Sequence, residues 1–152
     1  MRLEEAIQQV KFQSESQKTG VNLLYTSSWF SKELARALKC HGISWQQFNI
    51  MRILRGQKGC PLTLKSITER MIDPMSNTSR LVDKLVTKGF VERRADTCDR
   101  RQIAISLTKS GSDHLEKAST SVEIMGKELF THVREEDLRQ LNELLDKIRH
   151  HS

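Results

Sequence analysis

Residues 73–111 of the chain decide its fold, and they run DPMSNTSRLVDKLVTKGFVERRADTCDRRQIAISLTKSG. Up to about Lys88, apolar residues recur every three or four positions, which is typical of an amphipathic helix, and Gly89 is a natural stop for it. The period then shortens to two, so residues 90–94 and 103–107 predict the strands of a β-hairpin with a charged tip. A helix followed by such a hairpin is the second half of a winged helix-turn-helix.

The residues before this stretch predict two further short helices. Ser44, followed by Gln47 three positions later, has the pattern of a capping box, and apolar residues follow it at helical spacing. Residues 64–71 also carry apolar side chains at helical spacing. The next helix is predicted to begin at Asp73-Pro74, because an aspartate can cap a helix and proline is tolerated in its first turn.

Longer helices are predicted on both sides of this central unit. Residues 1–10 predict a short helix, residues 14–20 a polar break and residues 21–39 a long helix, while residues 109–152 predict two more helices. The apolar stripes of these outer helices have nothing local to bury them. Exposed stripes of this length favour a homodimer built from both ends of the chain.

The predicted fold class is therefore mainly α with a small β-hairpin wing, a winged helix-turn-helix with N- and C-terminal dimerisation helices. Residues 1–40 are assigned to the N-terminal part of the dimerisation region. Residues 41–108 form the predicted winged helix-turn-helix domain, and residues 109–152 the C-terminal dimerisation helices.

Composition and charge narrow the function. The chain has 152 residues, of which 37% are hydrophobic and 29% charged, and its formal net charge is +6. Residues 1–110 hold 19 basic and 10 acidic side chains, whereas residues 111–152 hold 6 basic and 9 acidic ones. An excess of basic residues on one part of a protein suggests a polyanion partner, most often nucleic acid.

Several classes of protein are not expected. No apolar run approaches the roughly 20 residues that span a bilayer, and the first part of the chain lacks an apolar secretion signal, so we expect a cytoplasmic protein without a membrane partner. Cys40, Cys60 and Cys98 match no zinc-ligand spacing, which favours free thiols in a reducing compartment. The sequence offers no glycine-rich phosphate loop and no Ser–His–Asp arrangement, so we expect neither an enzyme nor a cofactor or bound metal.

The helix predicted after Asp73 has an outer face suited to a nucleic acid. Small hydroxyl and amide side chains near its start permit close approach to base edges and supply donors and acceptors for the major groove. Its two basic side chains lie one turn apart and can reach a phosphate or a guanine. The candidate DNA-contacting residues on this face are Ser76, Asn77, Ser79, Arg80 and Lys84.

The predicted hairpin concentrates arginine, with Arg93 and Arg94 in its first strand and Arg100 and Arg101 near its tip. A narrow minor groove has a strong negative potential that attracts an inserted arginine. Asp99 lies two positions before Arg101, close enough to orient its guanidinium by a bidentate pair. The hairpin therefore adds Arg94, Asp99, Arg100 and Arg101 to the candidate DNA-contacting set.

Four motifs in order resemble the core signature of the MarR (multiple antibiotic resistance regulator) family: SRLVDKL at residues 79–85, KGFVERR at 88–94, DRR at 99–101 and LTKSG at 107–111. The resemblance implies a dimeric bacterial transcription factor, usually a repressor, that binds pseudo-palindromic double-stranded DNA. It also implies that the helix after Asp73 enters the major groove while the wing enters the adjacent minor groove.

Carried over by position, the resemblance implies roles for individual residues. Ser76, Asn77, Ser79 and Arg80 are the expected base- and phosphate-facing set. Arg101 is the expected wing arginine, with Asp99 as its orienting partner. The helix start at residues 73–75 departs from the commonest form of the family, which leaves the first base-contacting residue open.

Family members often release DNA when a small phenolic or other aromatic molecule binds between the dimer helices and the winged domain. The resemblance therefore implies a small aromatic effector as a further partner. The candidate pocket residues are Tyr25, Trp29, His41, Trp45 and Phe48. The alternative for each of them is an ordinary place in the hydrophobic core, where aromatic residues of amphipathic helices usually lie.

Three alternatives stay open. A winged-helix module can bind a protein partner through the same helix and hairpin without binding DNA. A regulator of this kind can instead sense oxidants through a cysteine, for which Cys98 and Cys60 are placed in predicted loops and Cys40 follows an apolar helix. Glu128 and His132, four residues apart on a predicted helix, have the spacing of two ligands to one cation.

Overall fold

The computed structural model of the chain describes residues 1–95 and 103–150. In these residues the elements run α1 (Leu3–Ala6), α2 (Glu15–Leu38), a 3-10 turn (Lys39–His41), α3 (Trp45–Arg55), β1 (Leu62–Thr63), α4 (Leu64–Arg70), α5 (Thr78–Thr87), β2 (Val91–Ala95), β3 (Ile103–Leu107), α6 (Lys109–Phe130) and α7 (Glu135–Arg149). The predicted fold, mainly helical with a small hairpin, is confirmed. We call the β2–β3 hairpin the wing.

Side-chain caps fix where several helices begin. The Ser44 hydroxyl accepts from the backbone N–H of Gln47 at 3.2 Å, and the Gln47 side chain accepts from the Ser44 N–H at 3.0 Å, so the predicted capping box of α3 is confirmed. Ser14 caps α2 in the same way by accepting from the N–H of Gln17 at 3.1 Å. The predicted break over residues 14–20 is therefore wrong, because the polar residues after Ser14 form an exposed helical turn.

The helix predicted to begin at Asp73-Pro74 begins later. Asn77 is the N-cap of α5, and Asp73 instead closes a turn ahead of it. One Asp73 carboxylate oxygen accepts from the backbone N–H of Met75 at 3.2 Å, and the other accepts from the Ser76 hydroxyl at 2.8 Å. Aspartate competes for local donors in this way, which favours a turn over a helix. The predicted helix start is thus wrong by four residues, and Ser76 and Asn77 precede the helix.

The three strands form one antiparallel sheet in the order β1-β3-β2. Val91 pairs with Leu107 and Arg93 with Ile105 across the wing. The strand predicted over residues 90–94 is confirmed with a shift of one residue, and the strand predicted over 103–107 is confirmed as placed. The short strand β1 was not predicted, because two residues carry no measurable period. The predicted turn over residues 95–100 lies almost entirely outside the described residues.

One hydrophobic core joins the winged unit to the long helices. Met51 of α3, Leu85 of α5 and Ile105 of β3 are fully buried. Leu38 at the end of α2 and Leu115 in α6 are buried in the same cluster. The outer helices are therefore anchored to the central unit at the end of α2 and in the first half of α6.

The start of α6 is pressed against the backbone that leads into the wing. Thr108 caps α6 by accepting from the Gly111 N–H at 2.9 Å, and its own N–H donates to the Phe90 carbonyl at 3.1 Å. A Cβ atom placed on Gly111 would lie 1.9 Å from that carbonyl oxygen. Glycine is therefore required at position 111 for α6 and β2 to approach this closely.

Among the described residues, the apolar faces of α7 and of the first half of α2 remain largely uncovered. In α7, which is described in full, no residue is buried although its apolar residues repeat at helical spacing. Leu141, Leu144 and Ile148 of α7 and Leu23 of α2 are exposed and line a cleft of about 730 Å³ between the two helices. Among the described helices, none combines the length and apolar character needed to cross a membrane.

Candidate nucleic-acid interface

The turn before α5 and the first turns of that helix form a shallow concave surface with one neighbouring residue of α3. Polar and basic side chains from three consecutive segments line it. The lining residues are Gln46, Ser76, Asn77, Arg80, Leu81 and Lys84. The structure therefore brings four of the five candidate residues of this region to one surface, and it adds Gln46, which sequence reasoning did not single out.

The five candidates of this region fall into two groups by their contacts. Ser76 is partly buried and its hydroxyl donates to Asp73, while the Asn77 side-chain oxygen accepts from the N–H of Arg80 at 3.1 Å. These two residues shape the start of the helix. Ser79, Arg80 and Lys84 are exposed on its outer side. Ser79, Arg80 and Lys84 are therefore accessible to a ligand. Ser76 and Asn77 also stabilise the turn and the helix start that carry these residues.

The electrostatics of α5 favour an anion at its beginning. The first turn of a helix carries unpaired backbone N–H groups and a partial positive charge, which attract phosphate. Arg80 adds a full positive charge in the first turn, and Lys84 adds another one turn further along the same helix. The opposite side of the helix is apolar, with Val82 and Leu85 fully buried. The helix is thus held rigidly by its apolar face while its basic face is exposed.

The two arginines of β2 point to opposite faces of the wing. Arg93 contacts Asp83 of α5, with Nη1 and Oδ1 2.7 Å apart. Arg94 contacts Glu92 of its own strand, with Nη2 and Oε2 2.9 Å apart, and its side chain is 74% exposed. Of the predicted wing set, Arg94 is therefore placed on the exposed side of the hairpin. Asp99, Arg100 and Arg101 lie outside the described residues.

The five predicted pocket residues do not meet at one cavity in the described chain. Phe48 is buried in the core, and Trp45 packs against that core. His41 pairs through Nε2 with the Ser121 hydroxyl at 2.8 Å. Tyr25 and Trp29 are exposed on α2. The cleft between α2 and α7 is lined by other residues of those helices.

Histidines join the end of α2 to α6 and the wing. His114 of α6 donates from Nε2 to the His41 carbonyl at 2.9 Å, and the Phe90 ring stacks on His114 with ring centroids 4.1 Å apart. This contact fixes the turn after α2 relative to the residue that enters β2. His41 therefore has a packing role in the described chain, which the sequence pattern did not reveal.

Cysteine and metal chemistry have little support in the described part of the chain. Cys40 and Cys60 are exposed free thiols, and Cys98 lies outside the described residues. Within residues 1–95 and 103–150, no three His, Cys, Asp or Glu side chains are grouped so that they could hold a metal ion. The exposed basic surface at α5 and the wing is thus the chemical feature that stands out.

The arrangement of α3, α4 and α5 with a three-stranded sheet and a projecting hairpin defines a winged helix-turn-helix protein. The family model that matches the chain is the MarR family, over residues 43–103. Residues 43–103 of the chain therefore carry a MarR family domain, and the likeness to MarR-type regulators supports a role in transcriptional regulation. The predicted family and class are confirmed.

Relatives extend the likeness beyond the matched region. The chain is 29% identical over 124 residues to the uncharacterised HTH-type transcriptional regulator YkoM of Bacillus subtilis, covering 80% of this chain and 78% of YkoM. A mutant MarR from E. coli complexed with operator DNA superposes with a TM-score of 0.80 at 22% identity, over 91% of this chain and 99% of that one. The organohalide-sensing regulator RdhR-CbdbA1625, in its 2,4-dichlorophenol-bound form, superposes with a TM-score of 0.82 at 20% identity. The match covers 94% of this chain and 89% of that one. These structural matches establish the shared fold.

Proposed function

We propose that this regulator binds pseudo-palindromic double-stranded DNA as a homodimer and acts as a ligand-responsive repressor. The observation that carries the proposal is the basic outer face of α5, with Arg80 and Lys84 exposed beside a wing whose Arg94 is also exposed. A rigid helix with one basic face and a neighbouring basic hairpin suits two successive grooves of a duplex.

In this proposal α5 enters the major groove with its first turns foremost. Ser79 is small and permits close approach, while Arg80 and Lys84 can reach a guanine edge or a phosphate. Ser76 and Asn77 in the preceding turn face the same surface. The partial positive charge at the start of the helix adds attraction for a backbone phosphate.

The wing would contact the adjacent minor groove. Arg94 lies on its exposed side, and Arg100 and Arg101 follow in the sequence with Asp99 placed to orient Arg101. The electrostatic attraction of an arginine to DNA is strongest where the minor groove is narrow, because the negative potential is strongest there. The roles of Asp99, Arg100 and Arg101 follow from their match to the family motif.

The dimer would be formed by the ends of the chain. The exposed apolar residues of α7 and of the first half of α2 line one cleft, and a second copy of the chain would cover them. Burial of apolar surface of this kind drives the association of helical subunits. Two-fold symmetry would then place the two α5 helices about 34 Å apart, one turn of B-DNA. Such a regulator would work in the cytoplasm, where bacterial DNA lies.

The proposed effector is a small aromatic molecule. RdhR-CbdbA1625, a structural neighbour, is described in a form bound to 2,4-dichlorophenol. A small aromatic molecule is therefore a reasonable class of effector for this chain. Tyr25 and Trp29 lie exposed on α2, where a dimer would enclose them, and His41, Trp45 and Phe48 lie further along toward the winged unit.

Selection of genomic DNA fragments by the purified protein tests the proposal. The expected result is enrichment of one inverted-repeat sequence with half-sites one helical turn apart, protected in a footprint by the dimer. A winged-helix module that binds only proteins would enrich no sequence. A cysteine-based sensor would enrich a sequence and then lose it on oxidation, and serine substitutions at Cys40, Cys60 and Cys98 would remove that loss.

A further inference from the structure

An ion pair connects α5, the helix proposed to enter the major groove, to the wing. Asp83 lies on the outer side of α5, and its Oδ1 is 2.7 Å from Nη1 of Arg93 in β2. The Arg93 side chain is 33% exposed, whereas that of its neighbour Arg94 is 74% exposed. Of two adjacent arginines on one strand, one is thus held against the helix and one faces solvent.

Strand geometry explains why these two arginines differ. Successive side chains of a strand point to opposite faces of the sheet, so Arg93 shares a face with Val91 and Arg94 shares one with Glu92. Val91 is buried in the core beside α5, and Arg93 is paired across the wing with the buried Ile105. Arg93 therefore points toward α5, where Asp83 is within reach.

The position of Asp83 is unusual for a surface that approaches phosphates. Its side chain is 56% exposed on the same outer side as Lys84. A carboxylate at this position repels DNA phosphates. Because Asp83 is paired with Arg93, the two charges cancel, and the positive charge of Arg93 no longer adds to the non-specific attraction for DNA. Specificity is a difference between two affinities, and it rises when non-specific attraction is reduced.

We infer that Asp83 is a positioning residue that sets the specificity of DNA binding by fixing the wing relative to α5 and withholding Arg93 from phosphates. This inference rests on the proposed DNA-binding function. It assigns to Arg93 an internal partner, so that the DNA contacts of β2 come from Arg94. It also makes the helix and the base of the wing one unit, which can meet two grooves only at a fixed spacing.

The substitution Asp83→Asn tests both parts of the inference. It removes the repelling charge and frees Arg93, so binding to a scrambled duplex should become tighter. The dependence of log affinity on log salt should steepen by about 0.9 per protomer, the slope that one additional phosphate contact adds. An exposed ion pair of this kind changes an equilibrium about two- to fivefold. For a dimer, we expect the ratio of specific to non-specific affinity to fall about 4- to 25-fold.

Two further variants distinguish the positioning role of Asp83 from a simple loss of stability. The exchange of both charges, Asp83→Arg with Arg93→Asp, restores the pair and should recover most of the lost ratio. The substitution Asp137→Asn breaks another Arg–Asp pair, in which Arg134, just before α7, lies 2.8 Å from Asp137, and it should leave the ratio unchanged. Thermal unfolding of all variants at equal concentration shows whether any of them is unfolded under the binding conditions.

The measurement is fluorescence anisotropy on the selected site and on a scrambled duplex at several salt concentrations. An unchanged ratio and slope in Asp83→Asn, with normal binding by the unsubstituted protein, would overturn this inference alone. Failure of the charge exchange to recover the ratio would also overturn it. Absence of salt-dependent binding by the unsubstituted protein would overturn the proposed function and this inference together.

Discussion

The side-chain oxygen of Asn77 accepts a hydrogen bond from the backbone N–H of Arg80 at 3.1 Å, which makes Asn77 the residue on which α5 begins. The same residue is a candidate for contact with DNA. Its oxygen already accepts one hydrogen bond in the cap, and its amide NH2 group is a donor that can face outward. The stability of the helix and its contact with a base are thus combined in one side chain.

Substitutions at Asn77 separate these two roles. Aspartate keeps an oxygen for the cap but removes the outward donor and adds a negative charge toward DNA. We therefore expect Asn77→Asp to melt at the same temperature as the unsubstituted protein while its affinity for the selected site falls more than tenfold. Asn77→Ala, the control, should lose about 1 kcal/mol of stability with the cap. Full affinity in Asn77→Asp would show that the amide group does not touch DNA.

The start of α5 also shows what the sequence could not decide. Asp73 and Asn77 are both good caps, and local pattern alone favours Asp73 because proline follows it. Tertiary contacts make the difference: the N–H of Ile72 donates to Asn49 of α3 at 3.0 Å, and Met71 is buried in the core. These contacts hold the chain in a turn at Asp73. At Ser44 no such competitor exists, and the local pattern predicted the helix start correctly.

Gly111 is expected to tolerate no side chain. The Cβ of Gly111→Ala would collide with the Phe90 backbone, which cannot move without displacing β2. We expect a loss of about 1–3 kcal/mol, the usual cost of overpacking, and a clear fall in Tm. The control is Gly126→Ala in the same helix, where nothing lies within 4 Å of the new Cβ.

For Gly126→Ala we expect unchanged stability or a gain of about 0.5–1 kcal/mol, because alanine is the better helix former. The two variants are compared at equal protein concentration by thermal unfolding. Equal Tm values would contradict the close approach of α6 to the entry of the wing.

A charge in the cleft between α2 and α7 should break the dimer. Leu144 is 49% exposed in the single chain and lines this cleft, so a second copy would bury it. We expect Leu144→Glu to elute as a folded monomer in size-exclusion chromatography with light scattering, and to lose its affinity for a two-half-site duplex. Ile72→Glu is the control for the oligomeric state alone and should remain a dimer, because Ile72 is 75% exposed in the turn before α5, away from the cleft.

The dimer prediction fails in either of two ways. Leu144→Glu can remain a dimer, which would place the interface elsewhere. Alternatively the unsubstituted protein can prove to be a stable monomer, which would remove the two-fold arrangement of α5 helices and with it the half-site spacing.

The wing arginine is tested by Arg101→Ala. Arg101 lies outside the described residues, and its role follows from the resemblance of the DRR motif. We expect a loss of affinity of at least tenfold for the selected duplex, with the dimer intact. Arg139→Ala removes an exposed arginine from α7 and should bind normally. An affinity of Arg101→Ala equal to that of the control would exclude the wing tip from the interface.

The candidate site was predictable in part. The spacing of apolar residues in α5 identified its outer face, and the structure places four of the five candidate residues there on one surface. The pairing of Asp83 with Arg93 was not predictable, because a strand pattern gives the alternation of its side chains but not which face lies against α5. The aromatic pocket candidates were chosen by residue type, which does not distinguish a buried core position such as Phe48 from an exposed one such as Trp29.

The dependence of DNA affinity on salt tests the central claim most directly. Two protomers that each contact phosphates through α5 and the wing should make six or more such contacts. The affinity for the selected duplex, measured by anisotropy, should then fall at least about a thousandfold between 50 and 200 mM salt, and a scrambled duplex should bind far more weakly at each concentration. An affinity that is independent of salt, or equal for both duplexes, would contradict the account.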